Sequence, residues 1–229
     1  MRLSDRMHMV ADMVSKGEAL ADIGCDHGYL SVWLVREGIV NRAIAMDVRE
    51  GPLARAAESI RFFHQQERIE TRLSDGMDEL KPGEADRIVI AGMGGILMSD
   101  ILRRGRECVK AAEQLVLQPQ SDIQLVREAV HGLGFKITDE RACREGGKYY
   151  IAFACGKGAE EIPYTGAEYR YGRILVAKRD ETWLSFLGQE LVKKEKMLER
   201  IRIKDPECIG KRASEIAAET AELREILNQ

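Results

Sequence analysis

Residues 21–30 read Ala-Asp-Ile-Gly-Cys-Asp-His-Gly-Tyr-Leu, where a short apolar strand predicted over residues 19–23 meets a helix predicted over residues 29–37. In a doubly wound α/β sheet, a turn at this point brings a nucleotide-like ligand against the exposed amides of the helix. Gly24 and Gly28 suit such a turn, because the backbone must approach the ligand without an intervening Cβ atom. This stretch therefore predicts a ligand-binding α/β domain.

Strands and helices continue to alternate after this turn. Further strands are predicted over residues 42–46, 69–73, 87–91 and 114–117, and a hairpin of two strands over residues 135–155. Strands that alternate with helices of about 10–15 residues are typical of a parallel, doubly wound sheet. We therefore predict an α/β fold with a mostly parallel seven-stranded sheet, in which the hairpin adds one antiparallel strand.

The pattern changes beyond a linker, rich in glycine and proline, that is predicted around residues 156–166. Apolar residues then recur at spacings of three and four over residues 184–201 and again over residues 213–227. Such heptad-like stripes predict an antiparallel, coiled-coil hairpin of two helices with a turn at residues 204–206. The predicted domains are residues 1–158 and residues 166–229.

Composition narrows the class of protein. The 229 residues are 45% hydrophobic, and 35 Lys and Arg stand against 38 Asp and Glu, for a net charge of −3. The hydrophobic fraction excludes a disordered chain, and no apolar run approaches the roughly 18–20 residues that span a bilayer. We expect a cytoplasmic protein with no membrane association. Because the chain is not basic, a nucleic-acid partner would have to be bound by local clusters of cations.

Cysteine and histidine give no sign of a metal site. The five cysteines are odd in number and none forms a Cys-x-x-Cys pair, and no His-x-x-x-His pair occurs. This spacing argues against a disulfide framework and a structural zinc site. We therefore expect no metal.

Acidic residues recur where successive strands end. Asp22 and Asp26 lie in the first turn, Asp47 ends the second strand, and Asp75 follows the third strand beside Gly76. A pyrophosphate-binding turn would read Gly-x-Gly-x-x-Gly, whereas carboxylates at this place repel a pyrophosphate. They favour a ligand with ammonium or sulfonium charge and no phosphate, which describes S-adenosylmethionine. Asp47 would then accept the ribose hydroxyls and Asp75 would hold the adenine amino group.

The chain resembles the class I S-adenosylmethionine-dependent methyltransferases and, more narrowly, the bacterial tRNA (adenine-22-N1)-methyltransferase (TrmK) family. The resemblance rests on five motifs: Leu3-Ser4-x-Arg6, Asp22-Ile23-Gly24-x-Asp26-His27, Ala91-Gly92-Met93-Gly94-Gly95, Leu117-Gln118-Pro119-Gln120 and Gly147-Lys148-Tyr149-Tyr150. It implies a Rossmann-like methyltransferase domain followed by a coiled-coil hairpin, with S-adenosyl-L-methionine as cofactor and tRNA as partner.

Residues and resemblance together predict three sets of site residues. The cofactor site is predicted to comprise Asp22, Gly24, Asp26, His27, Gly28, Asp47, Val48, Asp75, Gly76, Met93 and Gly94. Substrate contacts are predicted at Arg6, Tyr29, Gly95, Gln118, Lys193 and Lys194. The catalytic residue stays open among Asp26, Met93 and Gln118.

For the predicted methyl transfer, the protein must mainly position the cofactor and the target base. N1 of adenine already carries a lone pair, so no strong base is needed to create the nucleophile. Because N1 lies on the pairing edge, the target base must be unpaired or flipped. The stretch from Ala91 to Gly95 contains no carboxylate and no Pro-Cys nucleophile, which disfavours methylation of cytosine carbon-5 through a thiolate.

Other functions stay open on the sequence. A methyltransferase acting on a small molecule or on another RNA base would share every cofactor residue, although a small substrate would not need the C-terminal hairpin. A non-catalytic RNA-binding scaffold is an alternative of another class, and the intact acidic set argues against it. The missing Gly-x-Gly-x-x-Gly counts against a nicotinamide dehydrogenase. The chain could be a monomer or a weak dimer.

Overall fold

The computed structural model describes residues 1–204 and 210–228, and it divides into two compact units. The first unit spans Met1–Pro163 and the second spans Tyr164–Gln229. Residues 205 and 206 of the predicted turn lie outside the described residues.

The first unit alternates strands and helices in the predicted order. Its elements are α1 (Asp5–Ala11), β1 (Gly17–Ile23), α2 (Tyr29–Arg36), β2 (Val40–Asp47), α3 (Glu50–Phe62), β3 (Ile69–Leu73), β4 (Arg87–Gly94), α4 (Gly95–Arg104), α5 (Arg106–Ala111), β5 (Gln114–Ser121), α6 (Ile123–Gly132), β6 (Phe135–Glu145) and β7 (Lys148–Lys157). Residues 19–23 of β1 are all buried, as a strand covered on both faces requires.

The seven strands form one sheet in the order β3-β2-β1-β4-β5-β7-β6. All pairs from β3 to β5 are parallel, and β7 is antiparallel to both β5 and β6. The mostly parallel Rossmann-like sheet is therefore confirmed. The chain order reverses direction between β1 and β4, so the carboxyl ends of these strands form the edge at which α/β proteins bind ligands.

Two boundaries differ from the prediction. β4 does not end at Ala91 but continues to Gly94, because its pairing with β5 persists through register shifts on either side of Met93. The sequence also predicts a single helix after this strand, to about Arg106, whereas the structure interrupts it at Gly105, which separates α4 from α5.

The second unit consists of helices in its described part. They are α7 (Gly166–Tyr171), α8 (Arg173–Ala177), α9 (Glu181–Lys204) and α10 (Lys211–Asn228). α9 and α10 contact each other, and ion pairs join Lys194 to Glu219 and Glu195 to Arg224. The C-terminal helices are thus present, while a coiled-coil geometry for α9 and α10 stays a prediction.

No helix in residues 1–204 and 210–228 combines the length and the apolar character that crossing a membrane requires. Within the same ranges, no cluster of three or more His, Cys, Asp or Glu side chains is suited to hold a metal ion.

Candidate functional site

A cavity of about 580 Å³ lies in the first unit at the carboxyl ends of β1, β2, β3 and β4. The structure brings many of the predicted site residues together in its wall. These are Arg6, Asp22, Gly24, Asp26, His27, Tyr29, Asp47, Val48, Asp75, Gly76 and Met93. The acidic strand ends therefore share one cavity, as the sheet topology requires.

The turn after β1 is held against the end of β2. The backbone N–H groups of Gly24 and Cys25 both donate to the carbonyl oxygen of Met46, at 2.8 and 2.9 Å. Gly24 has a φ of +78°, and a Cβ atom there would lie 2.3 Å from Cε of Met93. The positive φ favours glycine at this position, whereas the Cε methyl of Met93 ends a flexible side chain that can move aside.

Asp22 is the most deeply placed acid of the cavity. Its side chain is buried and accepts a hydrogen bond of 2.7 Å from the hydroxyl of Ser31 on α2. Burial raises the pKa of Asp22 to about 6, against which the Ser31 hydrogen bond acts, and the charge of Asp47 adds to the rise. Within the described ranges, Asp22 forms no ion pair, so this carboxylate favours a cationic ligand group.

Asp47 is also buried but differs in its partners. Its Oδ1 accepts from the backbone N–H of Arg49 at 3.0 Å and lies 3.7 Å from Nε of that residue. No hydrogen bond to Oδ2 occurs in the described part of the chain, which leaves this oxygen to accept from a ligand.

Asp75 is already paired. Its exposed carboxylate accepts from Nη2 of Arg104 at 2.9 Å, and the same guanidinium binds Asp78 at 3.0 Å. The partner of Asp75 therefore comes from the last turn of α4, a contact that links the loop after β3 to that helix.

Asp26, His27 and Tyr29 form the outer part of the wall. Asp26 has a φ of +47°, a left-handed conformation that aspartate tolerates. Its carboxylate is exposed and lies 3.3 Å from Nη2 of Arg55 and 3.7 Å from Nε2 of His27. The rings of His27 and Tyr29 stack at a centroid distance of 5.6 Å.

Gln118 lies behind the cavity wall and does not line it. It is completely buried, and its Oε1 accepts from Nη1 of Arg6 at 2.7 Å and from the backbone N–H of Gly92 at 3.1 Å. Its amide nitrogen donates to the carbonyl of Pro119. The prediction that Gln118 contacts the substrate base therefore needs correction, because its polar atoms are bonded within the protein. Gln120 of the same strand lines the cavity instead.

Three predicted glycines also lie outside the cavity wall. Gly28 precedes α2 with a φ of +67°, and a Cβ atom there would lie 3.1 Å from Cβ of Ala56. Gly94 precedes α4, and Gly95 begins it. A Cβ atom on Gly95 would lie 2.4 Å from the carbonyl oxygen of Ser121. These glycines permit close packing around the site and do not line it.

Lys193 and Lys194 belong to the second unit. Lys193 is exposed and lies 2.6 Å from Glu190, and Lys194 pairs with Glu219 of α10. Each lysine thus has a carboxylate partner of its own unit.

Other residues of the site were not predicted. Ser31 holds Asp22, Arg104 holds Asp75, and Met7, Leu97 and Gln120 line the cavity. Ser31 could have been noticed in the sequence, because it is a polar residue in the largely apolar helix α2. The structure shows that it is completely buried.

Residues 3–153 match the family model of a methyltransferase domain. The chain is 30% identical to the tRNA (adenine(22)-N(1))-methyltransferase of Bacillus subtilis, over all of this chain and 98% of that protein. The chain belongs to the tRNA (adenine(22)-N(1))-methyltransferase family. The resemblance carried by the five sequence motifs is thereby confirmed.

Solved structures of this family extend the similarity to both units. The crystal structure of the Bacillus subtilis m1A22 tRNA methyltransferase TrmK has a TM-score of 0.90 at 28% identity, and the match covers 99% of each chain. A Streptococcus pneumoniae protein solved in complex with S-adenosyl-L-methionine has a TM-score of 0.87 at 29% identity, over 99% of this chain and 100% of that one.

Proposed function

We propose that this protein transfers a methyl group from S-adenosyl-L-methionine to N1 of adenine 22 in tRNA. The likeness to the Bacillus subtilis enzyme over both chains supports the reaction and the substrate. The observation that carries the proposal is the buried carboxylate of Asp22, which has no cationic partner in the described part of the chain and lies in the same cavity as Asp47.

The carboxylates that line the cavity fit the functional groups of this cofactor. S-Adenosyl-L-methionine supplies an activated methyl group on a sulfonium, together with an ammonium group, a ribose and an adenine. Asp22 would hold the cationic methionine end, since a buried carboxylate is stabilised by a charge of opposite sign. Asp47 would accept the ribose hydroxyls through its unbonded Oδ2. The loop of Asp75 and Gly76 would border the adenine.

The remaining wall would receive the target base. Tyr29 is 46% exposed and could stack on an unpaired adenine. Met7, Met93 and Leu97 add apolar surface, and Arg6 and Gln120 add polar groups. Since N1 needs no activation by a strong base, these side chains would act by orienting the base and excluding water. Asp26 stays a hypothesis for the group that stabilises or relays the positive charge of the product.

Cofactor affinity is expected to fall as the pH drops below about 6. Because burial raises the pKa of Asp22 from 3.8 to about 6, the free protein carries a neutral Asp22 below that pH. The proton must then leave before the carboxylate can pair with an ammonium group, which costs about tenfold in affinity per pH unit. Calorimetric titration with S-adenosyl-L-methionine from pH 5 to 7 measures this. An Asp22→Asn variant should bind weakly and without the slope, and a flat profile for the wild-type chain would contradict the assignment.

The reaction itself is tested by mass spectrometry of nucleosides. Unmodified tRNA incubated with the protein and cofactor should yield 1-methyladenosine, and a tRNA with guanine in place of adenine 22 should yield none. Cofactor binding without methylation of any tRNA would favour the alternative of a small-molecule substrate. Absence of cofactor binding at millimolar concentration would favour a non-catalytic RNA-binding scaffold.

The second unit is proposed to be a coiled-coil hairpin that contacts tRNA. Buried apolar residues on both long helices support this arrangement, among them Leu187, Leu198, Ala213, Ile216 and Leu223. The substrate also supports a cytoplasmic location. The oligomeric state, monomer or weak dimer, stays a prediction.

Lys193→Gln is expected to reduce the salt dependence of tRNA binding. One phosphate contact contributes about 0.7–0.9 to the slope of log K against log salt. Lys110→Gln is a matched control, because Lys110 also pairs with a glutamate three residues before it, but on α5 of the first unit. Fluorescence anisotropy with labelled tRNA at several salt concentrations measures both slopes. Equal slopes for Lys193→Gln and the wild-type chain would argue against a phosphate contact at this position.

A further inference from the structure

The guanidinium of Arg6 is held in a fixed place at the cavity. Arg6 lies on α1, is half-buried, and lines the cavity together with Met7. Its Nη1 donates to Oε1 of Gln118 at 2.7 Å, and its Cζ lies 5.4 Å from the ring centroid of Tyr150. A hydrogen bond and an aromatic contact from two different strands restrict the guanidinium before any ligand arrives.

The charge of Arg6 is not neutralised by an ion pair within the described ranges. The nearby carboxylate of Glu145 accepts from the backbone N–H of Arg6 at 2.8 Å and from the side chain of Ser4, and it interacts with the charge of Arg6 without forming an ion pair with the guanidinium. Other arginines close to the cavity differ in this respect, because Arg55 pairs with Asp26 and Arg104 with Asp75. Arg6 thus presents a cation with unused donors, the state that suits recognition of a phosphate.

Gln118 is suited to hold a cation without cancelling its charge. Its Oε1 serves both Arg6 and the backbone N–H of Gly92, which precedes Met93 in the irregular end of β4. A glutamate at this position could accept the same two hydrogen bonds, but it would lose the bond donated to the carbonyl oxygen of Pro119 and would neutralise the guanidinium. The neutral amide therefore fixes Arg6 and the loop beside it while leaving the positive charge available.

We propose that Arg6 binds a backbone phosphate of the substrate RNA next to the target nucleotide, and that Gln118 is a positioning residue for this contact. Contacts to phosphate fix the register of a bound nucleic acid without reading its sequence. A base that enters the cavity brings its own phosphates to the cavity mouth, and Arg6 would hold one of them. This inference rests on the proposed function, because it takes RNA as the substrate.

Steady-state methylation of tRNA by the full chain tests the contact. Arg6→Gln is expected to raise KM for tRNA about 10-fold, the loss of one charge-assisted hydrogen bond, with kcat little changed. The slope of log K against log salt should fall by about 0.7–0.9. Gln118→Glu should reproduce both effects through neutralisation, whereas Arg6→Lys should keep most of the slope. Arg61→Gln, an exposed arginine of α3 outside the cavity wall, is the control and should change neither quantity.

Cofactor affinity and thermal melting of each variant separate this contact from a structural role. Both should match the wild-type chain in Arg6→Gln, whereas Gln118→Glu should keep the cofactor affinity but melt at a lower temperature, because it loses the donor to the carbonyl oxygen of Pro119. An unchanged KM and salt slope in Arg6→Gln would overturn the inference, and so would a loss confined to kcat. If the wild-type chain methylates no tRNA, the proposed function fails first. If the wild-type chain methylates tRNA and Arg6→Gln has the same KM and salt slope, this inference alone fails.

Discussion

An Asp47→Ala variant is expected to bind S-adenosyl-L-methionine about 100-fold more weakly than the wild-type chain. The Asp47 carboxylate is buried at the end of β2, and its Oδ2 accepts no hydrogen bond in the described part of the protein. A ribose offers two neighbouring hydroxyls to such a group, and hydrogen bonds to a charged acceptor contribute about 1.5–3 kcal/mol each. At the lower end of that range, loss of both costs about 3 kcal/mol, which corresponds to about two orders of magnitude in affinity. Isothermal titration calorimetry at pH 7 measures the change.

Two further variants make this result specific. Asp47→Asn keeps one side-chain oxygen but loses the charge, so its affinity should fall between those of Asp47→Ala and the wild-type chain. Asp12→Ala removes an exposed carboxylate that does not line the cavity, and it should bind as the wild-type chain does. Wild-type affinity in Asp47→Ala, with the protein still folded, would remove Asp47 from the cofactor site.

The sheet could be predicted because its signals are local. Strands buried on both faces appear as apolar runs, such as residues 88–91, and glycines mark the turns between them. The continuation of β4 to Gly94 could not be predicted, because it depends on pairing with β5. The two strands are far apart in the sequence, and a local sequence pattern gives no information on such pairing. The short helices α7 and α8 were missed because five or six residues carry no measurable periodicity.

The convergence of three acidic residues on one cavity could be predicted for a topological reason. Parallel strands end at one edge of a sheet, so Asp22, Asp47 and Asp75 had to lie near one another once the sheet order was known. The partners of these acids could not be predicted from the sequence. Ser31 and Arg104 reach them from helices, and the direction in which a helix presents its side chains to the sheet depends on tertiary packing. The choice between Gln118 and Gln120 likewise depends on how β5 continues past its proline.

The buried ion pair between Arg127 and Glu140 is expected to make the first unit sensitive to single substitutions. Both side chains are inaccessible to solvent, and Nε and Nη2 of Arg127 lie 2.9 and 2.8 Å from Oε1 of Glu140. Arg127→Met would leave a buried carboxylate without its cation, which costs about 3–5 kcal/mol. Urea unfolding measures this cost. In a Trp183→Phe background, the fluorescence of Trp33 reports the unfolding of the first unit alone, because the chain has two tryptophans and Trp183 lies in the second unit.

A double variant separates the value of the pair from the cost of breaking it. Arg127→Met combined with Glu140→Leu removes both charges, so stability should recover in large part relative to Arg127→Met alone. Arg141→Met is the control, because Arg141 pairs with Asp139 at 2.9 Å but is 42% exposed, and it should cost less than about 1 kcal/mol. A cost as small for Arg127→Met would mean that the carboxylate of Glu140 is stabilised by other groups once Arg127 is lost. The pair would then contribute little to the stability of α6 against β6.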